Sequence, residues 1–128
     1  MSKFKKVFVL AIWSLMAGVS VHAQLLSPDE YEKKMKETRD YTVVDVRTES
    51  EFVQGHLSNA VSIDIYRKDF REQLAKLNKN KPVFVYCAVG GRSNAAAGQL
   101  KSLGFNQVYD LRGGIKAWSQ AGKATVTH

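Results

Sequence analysis

The sequence has little cysteine, proline or histidine, with one cysteine, two prolines and three histidines among its 128 residues. A single cysteine, Cys87, excludes an intramolecular disulfide framework. The body of the chain holds only one histidine, His56, so the ligands of a typical zinc site are missing and we expect no metal. The sequence also shows no internal repeat, low-complexity segment or linker. We therefore expect one domain without a metal or cofactor.

Long apolar runs are absent as well, except for one at the start of the chain, over residues 7–21. It follows three lysines within the first six residues and precedes small or tolerated residues up to Ala23, a pattern typical of a secretory signal peptide. The run is shorter than the roughly 20 apolar residues of a membrane span, although an uncleaved anchor is the alternative. We predict a signal peptide over residues 1–23, a domain over residues 24–128, a periplasmic or secreted location and no stable membrane association after cleavage.

Acidic residues are in the minority, with 12 against 19 basic residues and a formal net charge of +7. Cleavage after Ala23 would remove three lysines and no acid, which lowers the charge to about +4. The basic residues are scattered and interleaved with acids, as on a solvated surface, so we expect no nucleic-acid partner. A mildly positive field favours small anionic substrates.

Helix and strand patterns alternate along the rest of the chain. Helix signals cover residues 28–37, 48–53, 67–78, 92–103 and 115–121, and strand signals cover residues 42–46, 60–63, 82–86 and 107–111. Ser27 and Glu30 have the spacing of a capping box around Pro28. Strands that alternate with helices through short turns predict an α/β domain with a parallel sheet covered on both faces.

Cys87 follows the strand of residues 82–86 and precedes the helix that begins near Arg92. In open α/β sheets the ligand crevice lies at the carboxyl ends of the strands. Gly90 and Gly91 permit a loop whose N–H groups converge on one point, and the helix N-terminus adds positive charge. Such a setting stabilises a thiolate and favours a nucleophilic cysteine. The alternative is a structural thiol at the end of a buried strand.

Three ordered motifs resemble the rhodanese family of sulfurtransferases. The family's active loop, a cysteine followed at fixed spacing by glycine, arginine and serine, is matched by Cys87, Gly90, Arg92 and Ser93. The second signature is matched by Asp45, Arg47, Glu51, Phe52, Gly55, His56, Leu57, Ala60 and Ile63. The family's Gly-Gly-x-x-x-Trp ending is matched by residues 113–118. Together the motifs extend over nearly all of residues 24–128, which makes the resemblance specific.

The resemblance implies a single rhodanese-like domain, with a doubly wound parallel sheet and helices on both faces. It implies that Cys87 takes sulfane sulfur from a small anionic donor such as thiosulfate, becomes a persulfide, and passes the sulfur to a thiophilic acceptor such as cyanide or a thiol. The residues it assigns to substrate binding are Ala88, Val89, Gly90, Gly91, Arg92, Ser93 and Arg47. A second cysteine would collapse the persulfide into a disulfide, so a lone cysteine suits this chemistry.

Several roles stay open at the level of sequence. Arg92 is either a clamp for the donor anion or a residue at the helix start that is paired with a carboxylate. Arg47 either adds positive charge at the same sheet edge or forms an ion pair with Asp45 or Glu51. His56, in its Gly-His-Leu setting, is expected to be a hydrogen-bonded structural residue.

Two other functions compete with sulfurtransfer. A non-catalytic persulfide carrier or partner-binding module of the same family would have the same sequence features. Phosphatases and arsenate reductases of related architecture carry one more residue between cysteine and arginine, so the spacing from Cys87 to Arg92 disfavours them.

Overall fold

The structure is a computed structural model, and it describes residues 23–128. The predicted signal peptide, apart from Ala23, lies outside these residues. Strands and helices alternate along the described chain. The strands are β1 (Gln24–Leu26), β2 (Thr42–Asp45), β3 (Val61–Ser62), β4 (Val83–Tyr86) and β5 (Val108–Leu111). The helices are α1 (Pro28–Glu37), α2 (Glu49–Val53), α3 (Phe70–Ala75), α4 (Gly91–Ser102) and α5 (Gly114–Gln120).

The strands form one sheet in the order β1-β5-β4-β2-β3, and every neighbouring pair is parallel. The middle strand, β4, is buried along its whole length, as expected for an apolar strand covered on both faces. Because all five strands run in the same direction, their carboxyl ends lie at one edge. The end of β4, which leads into Cys87, is at the middle of that edge.

Successive side chains of a strand point to opposite faces of the sheet, and each face has its own core. On one face, Val83, Val85 and Cys87 pack with residues of α3 and α4 such as Phe70 and Ala97. On the other face, the core consists of Tyr31 from α1, Trp118 from α5 and the strand residues Val43, Phe84, Tyr86, Tyr109 and Leu111, together with Leu57. The doubly wound α/β fold with helices on both faces is thus confirmed, and so is the core position of Trp118.

Capping explains where the first two helices begin. Ser27 accepts the N–H of Glu30 while the Glu30 carboxylate accepts the N–H of Ser27, and α1 has the predicted bounds. Thr48 and Glu51 form the same reciprocal pair at the start of α2. Helix α3 is shorter than the predicted residues 67–78. Its first predicted residues instead form a turn, in which the Arg67 N–H donates to the Asp64 carbonyl.

Strand β1 is not among the predicted elements. Its three residues pair with Tyr109, Asp110 and Leu111 of β5. Such a short segment, with two of its three residues exposed, has neither a run of apolar residues nor an alternation that would identify it. Only the presence of β5 beside it makes it a strand.

Candidate active site

Cys87 lies directly after β4, and its side chain is only 1% exposed. The N–H of Gly90 donates to the Cys87 sulfur at 3.0 Å. The Cys87 thiol lies 3.4 Å from the Ser93 hydroxyl oxygen, to which it donates. Gly90 has a φ of 120°, a backbone conformation that favours glycine, and the chain turns there into the first residue of α4. The loop and the first turn of α4 thus surround the sulfur with hydrogen-bonding groups.

Two opposing effects act on the pKa of the Cys87 thiol. Burial raises it, because a thiolate loses solvation. Hydrogen bonds that the thiolate accepts from the Ser93 hydroxyl and from the backbone N–H groups of Ser93, Gly90 and Val89 lower the pKa, and they outweigh burial. The pKa therefore lies below that of an ordinary thiol. Of the two alternatives, this geometry favours the reactive thiol.

The other loop residues hold the backbone in place or face solvent. The carbonyls of Cys87 and Ala88 accept the N–H groups of Ile115 and Lys116 at 2.9 and 3.1 Å, so the first turn of α5 secures the base of the loop. Val89 is 63% exposed and lies on the solvent side of the loop. Gly91 is the first residue of α4.

The approach of α5 to the loop requires Gly114. This residue has a φ of 63°. A Cβ atom there would overlap the Ala88 carbonyl and would lie 2.6 Å from the Cys87 carbonyl oxygen. The second glycine of the Gly-Gly-x-x-x-Trp ending is therefore needed for backbone contact with the active loop.

Arg92 forms a bidentate ion pair with Glu51 of α2. Its Nη1 and Nη2 atoms donate to Oε1 and Oε2 of Glu51 at 2.8 and 2.9 Å. This is the structural alternative for Arg92, a helix-start residue paired with a carboxylate. The pair joins α2 to the start of α4. The negative charge of Glu51 also neutralises the positive charge of Arg92 that a donor anion would otherwise meet.

Arg47 takes the structural alternative as well. It is 6% exposed, and its Nε and Nη2 atoms donate to the Asp45 carboxylate at 2.7 to 3.1 Å. Nη2 also donates to the Gly55 carbonyl at 2.7 Å. The predicted contribution of Arg47 to substrate binding is not supported by this geometry, because the side chain is buried in contacts with its own chain.

His56 has the hydrogen-bonded setting expected of a structural residue. Its ring stacks on Phe52 at 3.7 Å between centroids, and its two ring nitrogens lie 2.9 Å from the carbonyl oxygens of Phe52 and His128. Its backbone pairs with Val126 in an antiparallel bridge. His56 thus holds the end of the chain against the domain.

Sequence reasoning did not single out Asp110, a buried residue of β5 on the same face of the sheet as Cys87. Neither of its carboxyl oxygens has a hydrogen-bond partner among residues 23–128. An acid within the otherwise apolar segment Val108–Leu111 is the signal that was available. Within the described part of the chain, no cluster of acidic, histidine or cysteine side chains is arranged to hold a metal, and no helix is long and apolar enough to cross a membrane.

The fold and the site together define the class of protein. It is an α/β domain with a candidate nucleophilic cysteine at the carboxyl end of its central strand, enclosed by a glycine loop and a helix start. The sequence profile of the Rhodanese-like domain matches residues 27–121. The chain belongs to the rhodanese-like domain family.

Relatives and solved structures agree with this assignment. A sulfurtransferase of Allochromatium vinosum is 31% identical over 97 residues, which cover 76% of this chain and 89% of the relative. The thiosulfate sulfurtransferase GlpE of Coxiella burnetii is 36% identical over 80 residues, 62% of this chain and 73% of the relative. The crystal structure of a rhodanese-related protein from Thermoplasma volcanium has a TM-score of 0.72 and 34% identity, covering 82% of this chain and 99% of that one.

Some other relatives are longer proteins, of which this chain matches only a part. The tRNA uridine(34) hydroxylase of Chlamydia abortus is 40% identical over 102 residues, which are 75% of this chain but 31% of that protein. The family and the sulfurtransferase relatives together support an enzyme of the sulfurtransferase family and sulfur transfer in general.

Proposed function

We propose that this protein is a thiosulfate sulfurtransferase that carries sulfane sulfur as a persulfide on Cys87. The observation that carries the proposal is the thiol itself, whose pKa is lowered by the Ser93 hydroxyl and by converging loop N–H groups despite its burial. A structural thiol at the end of a buried strand has no need of such donors. The names of the sulfurtransferase relatives support the same reaction class.

The proposed reaction has two displacements at sulfur. The Cys87 thiolate attacks the outer sulfur of thiosulfate, a new sulfur–sulfur bond forms, and sulfite leaves with the electron pair of the bond that breaks. A cyanide ion or an acceptor thiolate then attacks the outer sulfur of the persulfide, and Cys87 leaves as a thiolate. The loop N–H groups, among them that of Gly90, stabilise the negative charge in both steps.

The geometry favours a small donor. Cys87 is 1% exposed, so little of its sulfur is accessible, and a small donor can reach it more easily than a bulky one. Ala88 and Val89 add no charge to the loop, and Glu51 compensates Arg92. Backbone N–H groups are therefore the main anion-binding groups, and thiosulfate is small enough to use them.

The proposed place of action is the periplasm or the exterior of the cell, after cleavage behind Ala23. The signal-peptide pattern of residues 1–23 supports it. With one cysteine in the chain, a persulfide has no internal thiol that would reduce it.

Intact-protein mass spectrometry before and after addition of thiosulfate tests the persulfide. We expect a gain of one sulfur atom that a reductant removes and that the Cys87→Ser variant does not show. No gain in mass, together with slow alkylation of Cys87, would contradict the proposal and leave a partner-binding module.

Turnover separates the enzyme from a carrier. With thiosulfate and cyanide, or a thiol acceptor, an enzyme regenerates the free thiol and releases sulfite repeatedly. A protein that forms the persulfide once but transfers sulfur to neither acceptor would instead be a persulfide carrier that needs a specific partner.

A further inference from the structure

Asp110 is a buried carboxyl group without a counter-ion. Asp110 is 2% exposed, and neither Oδ1 nor Oδ2 accepts a hydrogen bond within residues 23–128. The other deeply buried acid of the sheet, Asp45, is ion-paired with Arg47. An ionised carboxylate in the setting of Asp110 would lose its hydration without compensation, and buried groups of this kind take up a proton instead.

The sheet register places Asp110 beside the catalytic strand. Asp110 is paired with Val85 of β4, and Cys87 follows two residues later, on the same face. Ser93, in the first turn of α4, is fully buried on that face. The Ser93 hydroxyl lies 3.4 Å from the Cys87 sulfur, and it is also the side-chain group that influences the pKa of Asp110. No hydrogen bond joins Ser93 to Asp110 in the thiol form of the site, so a bond between them has to form when Cys87 ionises.

The direction of the hydrogen bonds has to reverse when Cys87 ionises. In the thiol form the sulfur donates to Ser93, whose hydroxyl donates to the Gly90 carbonyl at 3.2 Å. A thiolate can only accept, so the Ser93 proton has to turn to the sulfur. The Ser93 oxygen can then accept a bond from a neighbouring donor. A protonated Asp110 supplies such a donor, whereas an ionised one would compete with the sulfur for the same proton.

We propose that Asp110 is a positioning residue that stays protonated at neutral pH and donates to Ser93, so that the Ser93 hydroxyl donates to the Cys87 thiolate. The inference rests on the proposed function only in taking Cys87 as the nucleophile. Burial raises the pKa of Asp110 and outweighs the opposing influence of the Ser93 hydroxyl and the Leu111 backbone, neither of which forms a hydrogen bond with the carboxyl oxygens.

Few other charged or titratable groups act on this site. Tyr31 reaches the sheet from α1, and its hydroxyl donates to the Val85 carbonyl at 3.1 Å. Burial, first of all, raises the pKa of Tyr31 well above its usual value, so Tyr31 stays neutral. Arg92, beside Ser93, is paired with Glu51, and the exposed Arg112 acts on Glu30. Leu25, the neighbour on β1, is apolar.

The test is the rate of alkylation of Cys87 by iodoacetamide as a function of pH. The chain has one cysteine, so the alkylation comes from Cys87 alone, and the pH dependence of its rate reports the ionisation of the thiol. Asp110→Leu keeps the approximate shape of the side chain but removes the donor, and we expect its rate at pH 7 to fall about fivefold to tenfold, as for the loss of one hydrogen bond. Asp110→Asn keeps an N–H donor without a charge, and its rate should stay within about threefold of the wild type.

Coupling through Ser93 is tested by the double variant. In a Ser93→Ala background, Asp110→Leu should change the alkylation rate by less than about twofold, since the connecting hydroxyl is gone. A wild-type rate for Asp110→Leu, or an equal loss with and without Ser93, would overturn the proposal. So would a rate for Asp110→Asn well above that of the wild type, because it would mean that Asp110 is ionised.

A second measurement does not depend on how Asp110→Leu folds. The infrared difference spectrum between wild type and Asp110→Asn at pH 7 should contain the C=O stretching band of a protonated carboxyl group, and a carboxylate band in its place would overturn the proposal. Neither readout involves sulfur transfer. A protein that forms no persulfide but shows the alkylation pattern would lose the proposed function and keep this inference.

Discussion

At the scale of single residues, the site is governed by which partner each charged side chain finds. Arg92 and Arg47 both satisfy their guanidinium groups on carboxylates of their own chain. The sulfur of Cys87 depends instead on neutral donors, the Ser93 hydroxyl and the loop N–H groups. Such donors stabilise a thiolate without adding a cation next to the sulfur.

The ion pair between Arg92 and Glu51 makes a prediction about acid stability. Hydrogen bonds from the Arg92 guanidinium, first of all, and from Thr48 lower the pKa of Glu51 to about 2, against an opposing effect of burial. A carboxyl group whose pKa is lower in the folded than in the unfolded state stabilises the fold above its unfolded pKa, and that stability is lost as the pH falls from about 4.5 to 2. Glu51→Gln should therefore be less stable than wild type at pH 7, and the difference should shrink over this range.

Urea unfolding of both proteins between pH 7 and pH 2.5 measures the effect. Glutamine can replace glutamate in the capping box with Thr48, so the variant loses the charge and keeps the helix start. A difference in unfolding free energy that does not change with pH would contradict the prediction, because it would show that the charge of Glu51 contributes nothing.

At the scale of elements, the active loop is held between two helix starts. The first turn of α4 provides Ser93 and the N–H groups near the sulfur, and the first turn of α5 binds the carbonyls of Cys87 and Ala88. Each of these helices has an N-cap glycine with positive φ, Gly90 for α4 and Gly113 for α5. The conformation of the loop therefore depends on the backbone of its neighbours.

Gly114→Ala should disrupt this arrangement. The added methyl group would overlap the Ala88 carbonyl. In addition, the left-handed backbone conformation at residue 114 disfavours any L side chain. We expect a loss of at least about 2 kcal/mol of stability and a slower alkylation of Cys87, because the loop has to move. Urea unfolding and iodoacetamide kinetics measure the two effects.

Gly98→Ala is the matched control on α4. Gly98 is exposed within the helix, and nothing lies within 4 Å of the position of its Cβ atom. The same substitution should there stabilise the protein by about 0.5–1 kcal/mol and leave alkylation unchanged. Equal effects of the two substitutions would show that α5 does not hold the loop by close backbone contact.

At the scale of the whole molecule, the sheet order decides which groups meet at the catalytic edge. Strand β4 lies between β5 and β2, so Cys87 has Asp110 on one neighbouring strand and Asp45 on the other. The two acids have opposite surroundings. Asp45 is ion-paired with Arg47, whereas Asp110 has no ion-pair or hydrogen-bond partner within residues 23–128, which is why we propose a proton on Asp110.

Export is a prediction about the whole chain. When the 128-residue protein is produced in a bacterium, its periplasmic form should begin at Gln24, the first residue of β1, so that the strand stays complete. N-terminal sequencing and intact mass measure this. Ala23→Asp should block cleavage, because signal peptidase requires a small residue there. A full-length wild-type protein in the membrane fraction would favour the uncleaved anchor instead.

Much of the fold follows from local patterns in the sequence. The capping box at Ser27 places the start of α1, and the apolar run of residues 83–86 identifies β4 as a buried strand. These signals are local, because a cap or an apolar run acts on its own segment. Strand β1 and the short extent of α3 were not predictable in this way, since β1 depends on pairing with β5 and the start of α3 is replaced by a turn.

The sequence by itself determined the alternation of strands and helices and the family, and it predicts Cys87 with its glycine loop as the reactive group. The tertiary structure alone decided that Arg92 meets Glu51, that Gly114 touches the loop backbone, and that Asp110 is buried without a counter-ion from the described part of the chain. The reason is physical. Caps, turns and periodicity act between residues that are close in the chain, whereas ion pairs and desolvation depend on which distant strand ends and helix starts become neighbours when the sheet forms.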